Sequence, residues 1–136
     1  MKFNKLIPEL TVSNFKISLD FYTRIIGFKL EYKREESHFA FLSFQDSQIM
    51  IEAINDHWST GKLEPPFGRG INFQIEVTKI KPILDSLNNN NYPLFIKPKE
   101  SWYRQDNQLL GCKEFLVKDP DGYLLRFQED LGVKSL

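Results

Sequence analysis

Apolar and polar residues alternate along the chain in two periods, which predict strands and helices in a fixed order. Residues 5–12 predict a short strand, in which Pro8 lies at an edge or bend because it lacks an amide donor. Apolar residues then recur at intervals of four and predict one stripe on a helix, formed by Ile17, Phe21 and Ile25. Three strands are predicted next, at residues 28–34, 38–44 and 48–54. The first half therefore predicts the order β-α-β-β-β.

The ends of the first helix carry residues that favour helix boundaries. Ser13 and Asn14 have short polar side chains that cap helix N-termini well. Gly27 is placed to end the helix in the left-handed conformation. These positions predict a helix of about three turns between the first two strands.

The same order of elements starts again at residue 70. A strand at residues 70–77 precedes a helix with the apolar stripe Ile80, Ile83, Leu84 and Leu87. Three more strands are predicted at residues 92–97, 112–118 and 123–128, and the residues after 131 are expected to fray. Residues 72–78 align with residues 7–13 at an offset of 65, which indicates internal duplication. We predict one domain over residues 1–136, with module one at about 5–54 and module two at about 70–129.

Two long loops remain, at residues 55–69 and 98–111, and both contain large aromatic side chains. Loops of this length inside a compact domain are often functional. Trp58 lies in the first loop, and Trp102 and Tyr103 lie in the second. Core packing explains such residues less readily in a loop than in a strand, so we expect ligand stacking or a dimer contact.

Charge and cysteine content exclude several classes of function. The 136 residues include 18 Lys and Arg and 18 Asp and Glu, so no net field attracts nucleic acid or a membrane surface. No apolar run approaches the roughly 20 residues of a membrane span, and no signal peptide is apparent. Cys112 is the only cysteine, which excludes an internal disulfide and a cysteine-based zinc site. We therefore expect a soluble, cytoplasmic protein that binds neither nucleic acid nor membranes.

Two segments resemble the signatures of the vicinal oxygen chelate superfamily, which includes glyoxalase I, bleomycin-resistance proteins and extradiol dioxygenases. Residues 17–30 resemble its first-helix signature, and residues 113–127 resemble its carboxy-terminal signature. Together with the duplicated order of elements, the resemblance implies an α+β fold with two tandem modules that form curved mixed sheets around a cleft. It also implies a homodimer.

The resemblance further implies up to four positions that would hold one divalent metal ion. They fall on Ile7, Glu52, Asn72 and Arg126. Only Glu52 is a strong ligand, and Arg126 carries a fixed positive charge. A catalytic divalent site needs about three protein ligands. We therefore predict no metal and no other cofactor, and we expect Arg126 to pair with Glu52 inside the cleft.

Within the superfamily, the chain most resembles the bleomycin-resistance branch, which sequesters its drug without a metal. Residues 7–11 resemble that branch's first strand, where a proline helps the strand swap between subunits. Residues 111–115, followed by Asp119 and Pro120, resemble another of its segments. A stacking tryptophan of the branch falls on Leu110, so Trp102 and Tyr103 become candidate substitutes.

The sequence therefore predicts a metal-free protein that binds a small, antibiotic-type and largely planar molecule by sequestration. Phe39 and Phe41 are assigned to the cleft side of their strand. The predicted ligand contacts are Tyr32, Phe39, Phe41, Glu52, Trp58, Trp102, Tyr103, Leu110 and Arg126. One alternative is a divergent metal-dependent lyase or dioxygenase that uses Glu52 with unrecognised ligands. Another is a partner-binding domain that uses the loop aromatics.

Overall fold

The computed structural model describes residues 1–136, and its chain forms two compact units. The first unit contains residues 1–67 and 119–122, and the second contains residues 68–118 and 123–136. Each unit has one four-stranded mixed sheet and one main helix. The predicted α+β fold with two tandem modules is therefore confirmed. Neither helix is long and apolar enough to cross a membrane.

The first unit follows the predicted β-α-β-β-β order. Its elements are β1 (Glu9–Val12), α1 (Phe15–Asp20, continued by a π-helical segment at Phe21–Ile26), β2 (Lys29–Arg34), β3 (Phe39–Phe44) and β4 (Ser47–Ala53). The strands lie in the order β1-β4-β3-β2, with β1 parallel to β4 and the other pairs antiparallel. Residues Ala40 and Leu42 of β3, and Ile49 and Ile51 of β4, are buried on one face of this sheet.

The first helix begins as predicted, but its apolar stripe is different. The side chain of Asn14 accepts a hydrogen bond from the Ile17 amide at 3.1 Å, and Gly27 ends the helix with φ 112°. Ile17 is 55% exposed, so its assignment to the buried stripe was wrong. The π-helical segment that starts at Phe21 has about one more residue per turn than an α-helix. The buried residues on either side of Phe21 therefore do not follow a single interval of four.

The second unit repeats the topology of the first. Its elements are β5 (Asn72–Glu76), α2 (Lys81–Asn89), β6 (Ile96–Gln105), β7 (Gln108–Lys118) and β8 (Leu124–Ser135). The strands lie in the order β5-β8-β7-β6, and β5 is parallel to β8. Ile83 and Leu87 of α2 are buried, as the stripe predicted, and the carboxylate of Glu129 accepts a hydrogen bond from the Ile80 amide at 3.0 Å.

The predicted loop at residues 98–111 is instead a long β-hairpin. β6 continues to Gln105, a two-residue turn includes Asp106 at φ 53°, and β7 starts at Gln108. Trp102 and Tyr103 therefore lie in a strand, which corrects their assignment to a loop. Residues 131–135 do not fray, because β8 stays paired with β7 through Ser135. Polar residues at both ends of this hairpin interrupt the alternation of apolar and polar positions that predicts a strand.

A turn from the second half of the sequence completes the first unit. The hydroxyl of Tyr22 donates to Asp119 Oδ2 at 2.7 Å, and both atoms are buried. The amide of Ser13 donates to Asp121 Oδ2 at 2.9 Å, and its hydroxyl donates to Asp121 Oδ1. Gly122 has φ 99°, and a Cβ there would lie 2.5 Å from Cβ of Pro66. These contacts place residues 119–122 within the first unit.

Candidate functional site

A cavity of about 400 Å³ lies on one face of the sheet in the second unit. Gln74 pairs with Arg126 across β5 and β8, and Glu76 pairs with Gln128. Because side chains alternate between faces along a strand, these four side chains share one face. The complete lining is Gln74, Glu76, Tyr103, Leu110, Gly111, Cys112, Arg126, Gln128 and Asp130. The cavity thus brings together three predicted contact residues, Tyr103, Leu110 and Arg126.

Arg126 lines this cavity, and most N–H groups of its guanidinium make no hydrogen bond within the protein. Its Nη2 donates to Gln74 Oε1 at 2.7 Å. Its Nε is buried and has no hydrogen-bond partner. A buried N–H without an acceptor costs about 1–3 kcal/mol. The guanidinium is therefore fixed in direction by Gln74 while it retains capacity for a further acceptor.

A buried carboxylate, Glu114, organises the part of the site next to Tyr103. Glu114 is 3% exposed and accepts hydrogen bonds from the hydroxyls of Tyr103 and Ser101 and from the thiol of Cys112. The bond to Glu114 raises the pKa of Tyr103. Burial, with the same carboxylate, raises the pKa of Cys112 to about 11. At neutral pH both groups stay protonated, so Cys112 is not a nucleophile.

Trp102 and Trp58 do not line this cavity. A Cβ on Gly111 would meet the Trp102 ring, and the indole Nε1 donates to Glu100 Oε2 at 2.9 Å. Lys134 Nζ lies 3.9 Å from the centroid of the same ring. The Trp102 ring therefore contacts Lys134 and Glu100, and it is not part of the cavity wall. Trp58 lies in the first long loop and is 69% exposed.

The predicted aromatic contacts of the first unit pack on one another. Tyr32 stacks on Phe41 with a centroid distance of 5.3 Å and an interplanar angle of 9°. The Arg34 guanidinium lies 3.9 Å from the centroid of Phe39. Phe39 and Phe41 are only 2% and 1% exposed, so their rings form a closed cluster. Phe3 also contacts this cluster, edge-on to Phe41 at 5.3 Å.

Glu52 lies beside this aromatic cluster, opposite Phe39 in the register of β3 and β4. Its carboxylate accepts a hydrogen bond from Asn55 Nδ2. Burial and the charge of Glu52 raise the pKa of Glu9, which lies on the neighbouring strand. Glu52 and Arg126 belong to different units, and each hydrogen-bonds within its own unit. Their ion pair stays a prediction.

The residues at the four metal positions do not fit a divalent ion. Ile7 has no donor atom, and Arg126 brings a positive charge where a cation would bind. Glu52 and Asn72 alone fall short of the three ligands that a catalytic site needs. The chain also contains no group of three or more His, Cys, Asp or Glu residues placed to hold a metal ion. The donor set therefore argues against metal chemistry on chemical grounds.

The structure adds four polar residues to the site that sequence reasoning missed. They are Gln74, Glu76, Gln128 and Asp130. Their signal in the sequence is alternation, since polar residues occupy positions 72, 74 and 76 in β5 and positions 126, 128 and 130 in β8. Only the parallel pairing of these two strands brings them to one face.

The duplicated topology agrees with the family comparison, which defines the class of protein. The chain belongs to the Glyoxalase/Bleomycin resistance protein/Dioxygenase superfamily, whose family model matches residues 4–127. The fold is therefore the glyoxalase type, as the resemblance implied. No curated protein matches the chain.

Solved structures resemble the chain over nearly its whole length. TioX from Micromonospora sp. ML1 is 14% identical, has a TM-score of 0.73, and matches over 95% of this chain and 100% of its own. An integron cassette protein of Vibrio cholerae is 18% identical, has a TM-score of 0.67, and matches over 95% and 97%. A superfamily member from Vibrio splendidus 12B01 is 29% identical over 90% of this chain and 95% of its own, with a TM-score of 0.42. The first two likenesses show the fold alone.

Proposed function

We propose that this protein binds a small organic molecule in the cavity of the second unit and sequesters it without a metal ion. The observation that carries this proposal is the cavity of about 400 Å³ with Arg126 in its wall. Its volume lies within the range of about 300–1,000 Å³ that is typical of small-molecule sites. Arg126 stands where the resemblance implies a metal-binding carboxylate in the enzymes.

The groups in the cavity are suited to binding rather than to covalent chemistry. The Cys112 thiol has a pKa of about 11, so almost none of it is a nucleophilic thiolate at neutral pH. The Tyr103 hydroxyl is engaged by Glu114 and is held protonated. No histidine lines the cavity. These residues hold and orient a ligand, but they offer no activated nucleophile.

Affinity in such a site comes from apolar burial and from oriented polar contacts. Tyr103 and Leu110 pair across β6 and β7 and present an apolar wall to a planar ligand. Each 100 Å² of apolar surface removed from water contributes about 2.5 kcal/mol, before the costs of association. Arg126 would orient the ligand through an acceptor atom. Stoichiometric capture of an antibiotic-type molecule, as in bleomycin resistance, is the biological role that we propose.

Titration with bleomycin and phleomycin, followed by calorimetry and intrinsic fluorescence, tests the proposal. We expect saturable binding close to one drug per chain in the presence of a chelator, and intact drug by mass spectrometry afterwards. Leu110→Arg should abolish binding because it fills the cavity, whereas Trp58→Phe should not change it. Absence of drug binding would overturn the antibiotic-type role, and chemical change of the drug or a requirement for added divalent metal would overturn metal-free sequestration. A metal requirement would favour the lyase or dioxygenase alternative.

A homodimer is part of the same proposal, because the family resemblance implies one. Sedimentation equilibrium with and without the drug measures the assembly directly. A monomer at all concentrations, with full binding, would show that one chain is sufficient to form the site.

A further inference from the structure

The cavity of the second unit contains charged side chains of both signs that are not paired with one another. The side chain of Glu76 has no hydrogen bond and no ion pair, and the side chain of Arg126 bonds only to Gln74. Asp130 accepts one hydrogen bond, from the amide of Gly132 at 3.0 Å. The side chain of Gln128, which lies between these charges, has no partner. The site therefore has unused donors and unused acceptors on the same wall.

The register of the strands separates the two signs of charge along the wall. Arg126, Gln128 and Asp130 alternate on β8 and point to one face, so successive members are about 7 Å apart. Glu76 is opposite Gln128, which puts it on the diagonal from Arg126 at about 7–8 Å between Cα atoms. One end of the wall is therefore cationic at Arg126 and the other end is anionic at Asp130, and the carboxylate of Glu76 lies beside Gln128 between them.

We propose that the ligand is a small zwitterion, with a carboxylate bound at Arg126 and an ammonium group bound near Glu76 and Asp130. This inference rests on the proposed function. A guanidinium matches the geometry of a carboxylate, and an ammonium group carries three donors that carboxylates accept. Tyr103 and Leu110 contact the part of the ligand between its charges.

Ligands with a single charge fit this wall less well. A simple cation attracted by Glu76 and Asp130 would extend toward the guanidinium of Arg126, which repels it. A simple anion bound at Arg126 would have two carboxylates beyond it. A molecule with opposite charges about 6–8 Å apart places each charge at the end of the wall that attracts it. Sequestration of such a molecule needs no net charge on the protein, in agreement with the balanced composition.

Three related planar probes test the inference by calorimetry at low and physiological salt. They are 4-(aminomethyl)benzoate, which has both charges, 4-methylbenzoate, which has only the carboxylate, and benzylamine, which has only the ammonium group. We expect the zwitterion to bind about tenfold or more tightly than either singly charged probe, since each loses one charge-assisted contact. A flexible series from 4-aminobutanoate to 8-aminooctanoate should show an optimum in length.

Two variants assign each charge to its end of the wall. Arg126→Gln should remove the advantage of the zwitterion over benzylamine but keep its advantage over 4-methylbenzoate. Glu76→Gln should reduce the advantage of the zwitterion over 4-methylbenzoate, with Asp130 still present, and keep its advantage over benzylamine. Because Glu76 is exposed, this variant should fold normally. Glu64→Gln is the matched control, since Glu64 lies in the first unit and pairs with Lys62. It should leave all three affinities unchanged.

The outcomes separate this inference from the proposed function. Equal affinity for the three probes, or an advantage that survives both variants, overturns the zwitterion assignment. Failure of the zwitterion to bind while bleomycin binds in the cavity overturns the inference alone. Failure of every probe and of the drugs overturns the inference and the proposed function together.

Discussion

Replacing Gly111 with alanine tests how tightly the hairpin of the second unit is packed around Trp102. A Cβ at Gly111 would lie 2.5 Å from Cη2 and 2.7 Å from Cε3 of the indole. Carbon atoms in contact are ordinarily about 3.5–4.0 Å apart, so the ring would have to move by about 1 Å. Its hydrogen bond to Glu100 and its contact with Lys134 both oppose that movement.

We expect Gly111→Ala to lower the free energy of unfolding by about 1–3 kcal/mol, the usual cost of overpacking. Urea denaturation followed by far-ultraviolet circular dichroism measures this free energy without depending on the fluorescence of Trp102. In a Trp102→Leu background the ring is absent, so Gly111→Ala should then cost little. The double-mutant cycle should give a coupling of about 1–2 kcal/mol between the two positions.

Gly61→Ala is the control for the change of glycine to alanine itself. A Cβ at Gly61 has no neighbour within 4 Å, so this variant should stay within about 0.5 kcal/mol of the wild type. The reasoning fails if Gly111→Ala costs no more than Gly61→Ala. It also fails if the cost of Gly111→Ala is the same with leucine at position 102.

Three further predictions concern polar side chains that are wholly or partly buried. Tyr22→Phe should lower the free energy of unfolding by about 1–3 kcal/mol, because Asp119 loses a buried donor; an unchanged urea midpoint would contradict this. Cys112, with a pKa of about 11, should resist alkylation by iodoacetamide in the folded protein at pH 8 and react when urea unfolds it; rapid reaction of the folded protein would contradict this. Burial and Glu52 raise the pKa of Glu9 above the usual 4.5, so ionised Glu9 destabilises the fold at pH values above its raised pKa. Glu9→Gln should therefore raise the thermal midpoint at pH 7 but not at pH 3, where Glu9 is protonated in both states, and an equal shift at both pH values would refute this.

Most of the fold could be predicted because its determinants are local and are repeated. The alternating strands, the helical stripes and the glycine at position 27 are readable within windows of about ten residues. The duplication then supported the topology, since each half was expected to form a sheet with the same strand order. Prediction failed where the pattern changes locally, as at Ile17 before the π-helical turn. It also failed at residues 98–111, where exposed strands carry polar residues on both faces.

The candidate site could be predicted only in part, because it depends on which strands are neighbours. Tyr103, Leu110 and Arg126 were proposed from the family resemblance, and the structure brings them to one cavity. Glu76 and Gln128 were missed because alternating polar residues look like an ordinary solvated face. They become a potential site only when β5 and β8 pair in parallel, with about 50 residues between them along the chain. No local pattern contains that information.

The turn at residues 119–122 has a consequence for how the chain could be divided. A cut in the exposed loop at residues 55–69 would give two fragments that look like complete repeats. The amino-terminal fragment would nevertheless lack the acceptors for Tyr22 and Ser13, because Asp119 and Asp121 would remain on the other fragment. The amino-terminal fragment should therefore fold poorly alone and gain structure when the carboxy-terminal fragment is added. The two halves share one topology, but the contribution of this one turn makes the first half dependent on the second.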